Sequence, residues 1–233
     1  MATSGTTSFT MNRDQIIAAA LRLCGAFGAG DAIPPDDINN CAQALNILAK
    51  ELAINGLPLW CVQDIPVPTV AGQATYDLSG ITGTTLPLRI LDAYIRDSVG
   101  NDTSLQITSR YDYDTLGQKS QQSVANQVWY DPQLSGGILT LYDVPSDNTY
   151  TVHVVIQRQV EDFNLATDNP DFPQEAFRLL KWCLADEIAL DYQTPSDIRR
   201  EINGKATGYR DKFFDSQQEQ ASIYFTPSER MRY

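Results

Sequence analysis

Apolar residues near the beginning of the chain recur every three or four positions, as on the buried face of an amphipathic helix. Asn12 and Gln15 have the spacing of a capping box, which predicts the start of a first helix there. A second helix is predicted from Pro34-Pro35 to the Asn55-Gly56 pair that stops it. We expect an antiparallel helical hairpin with two buried faces, formed by Ile16, Ile17, Ala20, Leu21 and Cys24 and by Ile38, Cys41, Ala42, Leu45, Leu48, Ala49 and Leu52.

Between residues 59 and 160 the apolar period shortens to two, which is typical of strands. Turn residues separate the alternating runs near Gly72, Gly100, Gly136 and Asn148. A short helix capped by Ser109 interrupts the alternation. We expect six or seven mostly antiparallel strands, with alternating positions at Ile65, Val67, Thr69; Leu88, Ile90, Asp92, Tyr94; Leu139, Leu141; Tyr150, Val152, Val154 and Ile156.

Helical spacing returns after residue 170. One helix is predicted behind Phe172, and a last helix behind the cap sequence Thr194-Pro195-Ser196-Asp197. Gly204 and Gly208 weaken the last helix, since each costs about 1 kcal/mol relative to Ala. Residues 223–233 have no period and contain a proline, so they predict an extended tail. The predicted buried faces are Ala176, Phe177, Leu180, Leu184 and Ile188, then Ile198, Ile202, Tyr209 and Phe213.

The order of these elements predicts an α+β fold in which helices from both chain ends form one core. We expect residues 1–58 to supply the N-terminal hairpin of that core and residues 166–222 its C-terminal helices. Residues 59–165 are predicted to form an inserted, mostly antiparallel β-module. Residues 223–233 complete the division as an extended C-terminal tail.

Charge is distributed unevenly along the chain, whose net charge is −12. Residues 1–198 hold 24 acids and 10 bases, whereas residues 199–233 hold 5 acids and 7 bases. The acidic body disfavours a general role in binding nucleic acid phosphates, which requires Lys and Arg. No apolar run approaches the roughly 18 residues needed to span a bilayer, and residues 1–10 lack the basic and apolar regions of a signal peptide. We therefore expect a protein that is made in the cytoplasm and has no membrane partner.

The search for chemistry predicts no catalytic, cofactor-binding or metal-binding residues. His153, the single histidine, lies among valines and is interpreted as a structural or surface residue of a strand. The cysteines are far apart in apolar surroundings, which predicts buried free thiols. Neighbouring acids such as Asp36-Asp37 point different ways on a helix, and Asp97 to Asp102 favours a turn over a calcium site. The four cysteines are Cys24, Cys41, Cys61 and Cys183.

A series of short segments, in order along residues 16–190, resembles the head-to-tail adaptor proteins of short-tailed bacteriophages, also called tail accessory factors or connectors. No single segment is diagnostic, and the ordered set carries the resemblance. The segments are Ala20-Leu21-Arg22-Leu23-Cys24-Gly25-Ala26; Ala44-Leu45-Asn46-Ile47-Leu48-Ala49-Lys50-Glu51; Asn55-Gly56-Leu57-Pro58-Leu59-Trp60; Pro87-Leu88-Arg89-Ile90; Ser109-Arg110-Tyr111-Asp112-Tyr113; Tyr130-Asp131-Pro132-Gln133; and Asp171-Phe172-Pro173.

The resemblance implies a virion protein at the head–tail junction, in which twelve copies form a ring below the portal protein. It implies that the helical core packs beside neighbouring copies, that the β-module faces a downstream tail or nozzle protein, and that the C-terminal extension reaches the portal. Packaged DNA would pass through the lumen without specific binding. The tail combines aromatic and Arg side chains, the types enriched at protein interfaces, so the expected portal-binding residues are Tyr224, Phe225, Arg230, Arg232 and Tyr233.

Two other functions compete with this interpretation. One is a virion-associated enzyme that cleaves peptidoglycan with two acids, which would require two carboxylates from distant segments in one cleft. The other is a structural tail or receptor-binding protein whose β-region faces the cell surface. The chain has neither the repeats nor the all-β pattern of fibre-like proteins, and it shows no motif for an enzyme.

Overall fold

The computed structural model describes residues 4–55, 58–79, 87–134 and 136–217. Helices occupy both ends of the described chain, and strands occupy its middle. The order of elements confirms the predicted α+β fold, with one short helix inside the strand region. The helices are α1 (Arg13–Leu23), α2 (Pro35–Asn55), α3 (Arg110–Thr115), α4 (Phe177–Ile188) and α5 (Ser196–Ser216).

Local sequence signals set the ends of the first helices. The backbone N–H of Gln15 donates to the Asn12 side chain at 2.9 Å, and the Asn12 N–H donates to the Gln15 side chain at 3.0 Å. This reciprocal pair is the predicted capping box. Gly25 follows α1 with a φ of +73°, a left-handed conformation that favours glycine. The second helix begins at Pro35 and ends at Asn55, as predicted.

The helical core is built around α4, which packs against α1, α2 and α5. A 3₁₀ turn, Gln174–Ala176, leads into this helix. Side chains from both chain ends meet here in one apolar cluster, as the sequence predicted. The fully enclosed members include Ile16, Ile17, Leu21, Leu45, Leu179, Leu180, Leu184 and Ile202.

The described residues in the middle of the chain fold into three sheets. Their strand orders are β1-β10-β3-β4, β2-β8-β7-β5 and β6-β9. The pairs β5–β7 and β6–β9 are parallel and the others are antiparallel. The strands are β1 (Val62–Pro68), β2 (Thr75–Asp77), β3 (Pro87–Arg96), β4 (Asp102–Ser104), β5 (Gln106–Ile107), β6 (Gln122–Ser123), β7 (Gln127–Gln133), β8 (Gly136–Tyr142), β9 (Val144–Pro145) and β10 (Thr151–Arg158).

The described residues therefore contain more strands than the six or seven expected. The additional strands are two or three residues long, too short for an alternating pattern to reveal. The larger sheets enclose a second apolar cluster that is separate from the helical one. Its fully enclosed side chains include Val67, Leu78, Ala93, Leu139, Leu141, Val152, Val154 and Ile156.

The predicted alternation in β3 is wrong beyond Ile90. The register with β10 shifts between Val155 and Ile156, so Asp92 and Ile90 pair with consecutive residues of β10. This bulge changes which side chains face the core, because one residue is left over on one strand. Ala93 is buried, and Tyr94 lies on the opposite face.

Two details of the last helices also differ from the prediction. The Thr194 hydroxyl donates to the Cys24 carbonyl at 3.2 Å rather than capping α5, which begins at Ser196 without a side-chain cap. Ile198 is exposed, whereas Ala206 is buried. Contact with the N-terminal hairpin therefore takes precedence over the local cap signal.

Candidate interaction surfaces

The junction between the helical core and the β-module is held by an ion pair. The Arg158 guanidinium, at the end of β10, binds both carboxylate oxygens of Asp171, with one N–O distance of 2.8 Å. Both side chains are largely enclosed, at 14% and 18% exposure. Asp171 raises the pKa of Arg158 further above its ordinary value. Because the fork geometry is bidentate, the pair fixes direction as well as distance.

Trp60 ties the entry into the module to the same point. It belongs to the 3₁₀ turn Leu59–Cys61, which precedes β1. Its indole N–H donates to the Asp171 carbonyl at 3.0 Å, and its ring packs against Phe172 and Phe213 with ring centres 5.6 and 5.7 Å away. The chain enters the β-module next to Trp60 and leaves it next to Arg158, and both residues bind Asp171.

Gln157 connects three elements at this junction. Its side-chain amide donates to the Ala53 carbonyl in the last turn of α2 at 3.0 Å. Its side-chain oxygen accepts from Arg89 of β3 at 2.7 Å. A carbonyl in the last turn of a helix has no partner within that helix, so this buried contact satisfies a group that would otherwise be costly.

Two residues of α2, one turn apart, hold the segment that follows β10. Asn46 exchanges hydrogen bonds with the backbone of Phe163, at 2.8 and 3.1 Å. Lys50 binds the Val160 carbonyl and pairs with Asp162 at 2.7 Å. These contacts, like those of Arg158, join positions more than a hundred residues apart or on different elements, so no local sequence pattern indicated them.

The outer face of the β1-β10-β3-β4 sheet carries a network of polar and aromatic side chains. His153 of β10 stacks on Tyr94 of β3, with ring centres 4.8 Å apart and planes 5° from parallel. Asp64 of β1 accepts from the Tyr94 hydroxyl at 2.7 Å and lies 3.1 Å from Nδ1 of His153. Arg96 completes the network by binding Asp102 at 2.7 and 2.8 Å.

This network accounts for the single histidine. His153 is a strand residue on the sheet surface, as the sequence predicted, and its partners are Asp64 and Tyr94 rather than a nucleophile. The hydrogen bond to Asp64 raises the pKa of Tyr94, and Arg96 lowers the pKa of Asp102. The arrangement is a hydrogen-bonded and stacked group of side chains on the surface of the sheet.

A groove of about 570 Å³ lies between the beginning of α4 and the end of α5. It combines cations and aromatic rings, and the Arg178 guanidinium lies 5.6 Å from the ring centre of Tyr209. Ser216 lines this groove, so the described chain ends at its edge. The expected portal-binding residues Tyr224, Phe225, Arg230, Arg232 and Tyr233 lie outside the described residues.

A smaller groove of about 240 Å³ brings together two carboxylates from distant segments, Asp37 and Asp191. The Tyr192 hydroxyl donates to Asp37 at 2.8 Å. Burial, followed by this hydrogen bond, raises the pKa of Tyr192. The groove therefore meets part of the expected requirement of the two-acid enzyme, two carboxylates from distant segments in one cleft.

Comparison with known protein families shows which family the chain resembles. The model of the SU10 adaptor protein family matches residues 11–231. The chain belongs to this family. The match spans nearly the whole chain and confirms the predicted resemblance to phage head–tail adaptors. No curated protein matches the chain.

Membership of the adaptor family supports a structural role in the virion, with interaction with the portal and with tail proteins. Among the described residues, no helix is both long enough and apolar enough to cross a membrane. The same part of the chain holds no group of three or more His, Cys, Asp or Glu side chains arranged for a metal ion. The four cysteines are buried, as predicted.

Proposed function

We propose that the chain forms a ring of identical copies, twelve by family resemblance, below the portal of a phage head. In this proposal the ring extends the DNA channel, helps to retain packaged DNA and provides the attachment site for a downstream tail or nozzle protein. The observation that carries the proposal is the family match, because it covers both the helical core and the β-module. No catalytic step is part of the proposal.

The parts of the chain have separate tasks in this proposal. Residues 1–58 and 166–222 form the helical core beside neighbouring copies, and residues 59–165 form the module that faces the tail. Residues 223–233 reach the portal, where the aromatic and Arg side chains named above supply the contacts. The junction at Arg158 and Asp171 supports this division, because it holds the two regions in one relative orientation.

The charge of the chain is consistent with a channel for DNA. The acidic body would repel phosphates, so DNA could slide past without lasting contacts. The same charge opposes assembly, since every copy carries a net charge of −12. We therefore expect a monomer in dilute solution that assembles on the portal, where apolar and paired contacts offset the repulsion.

Truncation after Ser222 tests the assignment of the tail. We expect the truncated chain to keep its circular dichroism spectrum and melting temperature but to bind the portal protein of the same phage at least about tenfold more weakly. Arg230→Glu with Arg232→Glu should weaken binding similarly, because both arginines are expected contacts. Binding is measured by co-sedimentation and by surface plasmon resonance.

The matched control is Arg199→Glu with Arg200→Glu, an exposed pair in the first turns of α5 that undergoes the same charge change. Equal loss in both double variants would show a general charge effect and remove the tail from the mechanism. Electron microscopy of particles provides the wider test, because the proposal requires density for this chain between portal and tail. Particles that lack the gene product yet retain DNA and acquire tails would contradict it.

The groove of Asp37 and Asp191 allows the enzyme alternative to be tested directly. If the chain cleaved peptidoglycan there, the purified protein would clear a zymogram, and Asp37→Asn or Asp191→Asn would abolish the clearing. The adaptor proposal expects no clearing from the wild-type chain. Clearing that depends on both carboxylates would establish a catalytic function.

A further inference from the structure

Helix α2 exposes two large apolar side chains on the side away from the core. Ile47 is 65% exposed and Ile54 is 68% exposed. They are seven residues apart, which places them two turns apart on the same face, with Glu51 between them. We call Ile47, Glu51 and Ile54 the α2 face. Both isoleucines fall outside the buried stripe predicted for this helix, which is the signal from which the surface could have been found.

Helix α1 carries a groove of about 410 Å³ on its outer side. The residues that line this α1 groove include Phe9, Met11, Ala18 and Arg22. Within the described residues, the Arg22 guanidinium takes part in no hydrogen bond or ion pair. The groove therefore combines an apolar depression with an unpaired cation.

We infer that the α2 face of one copy docks into the α1 groove of the next copy. The two surfaces are complementary in charge, because Glu51 lies between the isoleucines and Arg22 is among the residues that line the groove. Glu51 accepts a hydrogen bond from the Asn55 side-chain amide at 3.3 Å and lies 3.9 Å from Arg210 in its own chain. Both contacts are at the long end of their ranges, so a pair across the interface would replace no short internal one.

The geometry of the bundle makes this contact directional. The buried faces of α1 and α2 point into one shared core, so their outer faces lie on different sides of the molecule. A contact between two different surfaces of identical chains is heterologous, and it generates a closed ring or an open filament. The inference rests on the proposed ring and names the surfaces that build it.

Substitution of the isoleucines tests the apolar part of the interface. We expect Ile47→Asp with Ile54→Asp to abolish rings formed by the full chain on its portal protein, as counted by electron microscopy and mass photometry. The matched control is Val99→Asp with Leu134→Asp, which makes the same change at hairpin residues that are 84% and 101% exposed. Rings should persist in the control.

A charge exchange tests the pairing of Arg22 with Glu51. Arg22→Glu and Glu51→Arg should each reduce the ring fraction about tenfold, and the two together in one chain should restore most of it, because each substituted residue then meets its opposite in the neighbour. Circular dichroism of every variant checks that it is folded. A double variant no better than the single ones would overturn the pairing.

The outcomes separate this inference from the proposed function. If the wild-type chain forms rings, and the isoleucine variant and the single charge reversals still form them, the docking surface is overturned. The proposed ring itself would then stand. A wild-type chain that binds portal without forming rings would overturn the ring and, with it, this inference. Loss of rings in the Val99 and Leu134 control as well would show that any added charge prevents assembly, which would also overturn the assignment.

Discussion

The helical core and the β-module are stabilised in different ways. The core buries all four cysteines among aliphatic side chains, and burial raises the pKa of each thiol, to about 11 for Cys61. In the module, the resolved carboxylate shifts go the other way, because hydrogen bonds to the charged form lower the pKa of each turn or strand-end aspartate. These are Asp77, Asp97, Asp102 and Asp147.

This contrast indicates where each region can tolerate amino-acid substitutions. The core depends on shape and on the exclusion of water, so its interior tolerates little and its outer helix faces are free to contact other copies. The module depends in part on charged turns at its surface, where side-chain and backbone hydrogen bonds hold the aspartates in their charged form. The ion pair of Arg158 and Asp171 connects these two regions.

The largest expected effect comes from cavities made in one region at a time. Leu184→Ala in α4 and Leu139→Ala in β8 each remove a fully buried side chain and should lower the free energy of unfolding by about 2–5 kcal/mol. We expect residue-resolved hydrogen exchange to accelerate most in the helices for the first variant and in the strands for the second. The reason is that the two apolar clusters are separate.

The two variants serve as controls for each other, since both replace Leu by Ala at zero exposure. Uniform acceleration throughout the chain in both variants would show that core and module open as one cooperative unit. That result would remove the comparison on which the following predictions depend.

A smaller effect is expected at the junction. A double-mutant cycle of Arg158→Ala and Asp171→Ala should give a coupling free energy of about 1–3 kcal/mol, because the pair is bidentate and largely enclosed. The exposed pair Arg96 and Asp102, at 41% and 44% exposure, is the matched control and should give a clearly smaller coupling, because solvent screens it. Urea unfolding measures both cycles.

Equal coupling in the two cycles would mean that enclosure adds nothing at the junction. A second measurement sharpens the test, because small-angle scattering of Arg158→Ala should show a wider range of orientations between core and module. The Arg96→Ala variant should leave the scattering profile unchanged.

The smallest expected effects are changes of stability with pH. The core and the module should lose stability in opposite directions of pH. The aspartates have folded pKa values below their unfolded value of about 3.9, so their stabilising contribution is present above pH 4 and is lost as the pH falls through the folded values. The thiols have folded pKa values above 9.0, so their contribution is present below pH 9 and is lost as the pH rises further.

We therefore expect acid to loosen the module first and mild alkali, near pH 9 to 10, to loosen the core first. Nuclear magnetic resonance spectra recorded across the pH range would report both regions. Asp97→Asn should reduce the acid response, and Cys61→Val should reduce the alkaline one, because each removes a titrating group. Acid sensitivity confined to the helices would contradict the assignment.

Much of the helical structure could be predicted because its signals are local. The capping box of Asn12 and Gln15, the Pro35 start and the Ser109 cap each depend on residues within four positions of one another. The alternation of β10 could also be predicted. From Val152 to Val154 this strand pairs with both of its neighbours without a register shift, so alternate side chains face the core as the sequence pattern indicates. These signals depend on hydrogen bonds and side-chain directions that residues close together in the sequence already determine.

The candidate surfaces also divide into features that local sequence signals could predict and features that they could not. The exposure of Ile47 could have been predicted from its place off the apolar stripe of α2, and the ordered family segments indicated an adaptor before any contact was known. The partners of Arg158 and His153, in contrast, could not be predicted. Their contacts join residues on different elements, and many side chains of suitable type compete for each of them until packing selects one.

The amino-acid sequence by itself determined the helices, the strand-rich middle, the acidic body and the family of this protein. The tertiary structure alone decided the sheet order, the bulge in β3, the diversion of Thr194 to Cys24, and the ion pair that joins core to module. The physical reason is distance along the chain. Local preferences act between near neighbours, whereas these features depend on which distant surfaces exclude water from one another.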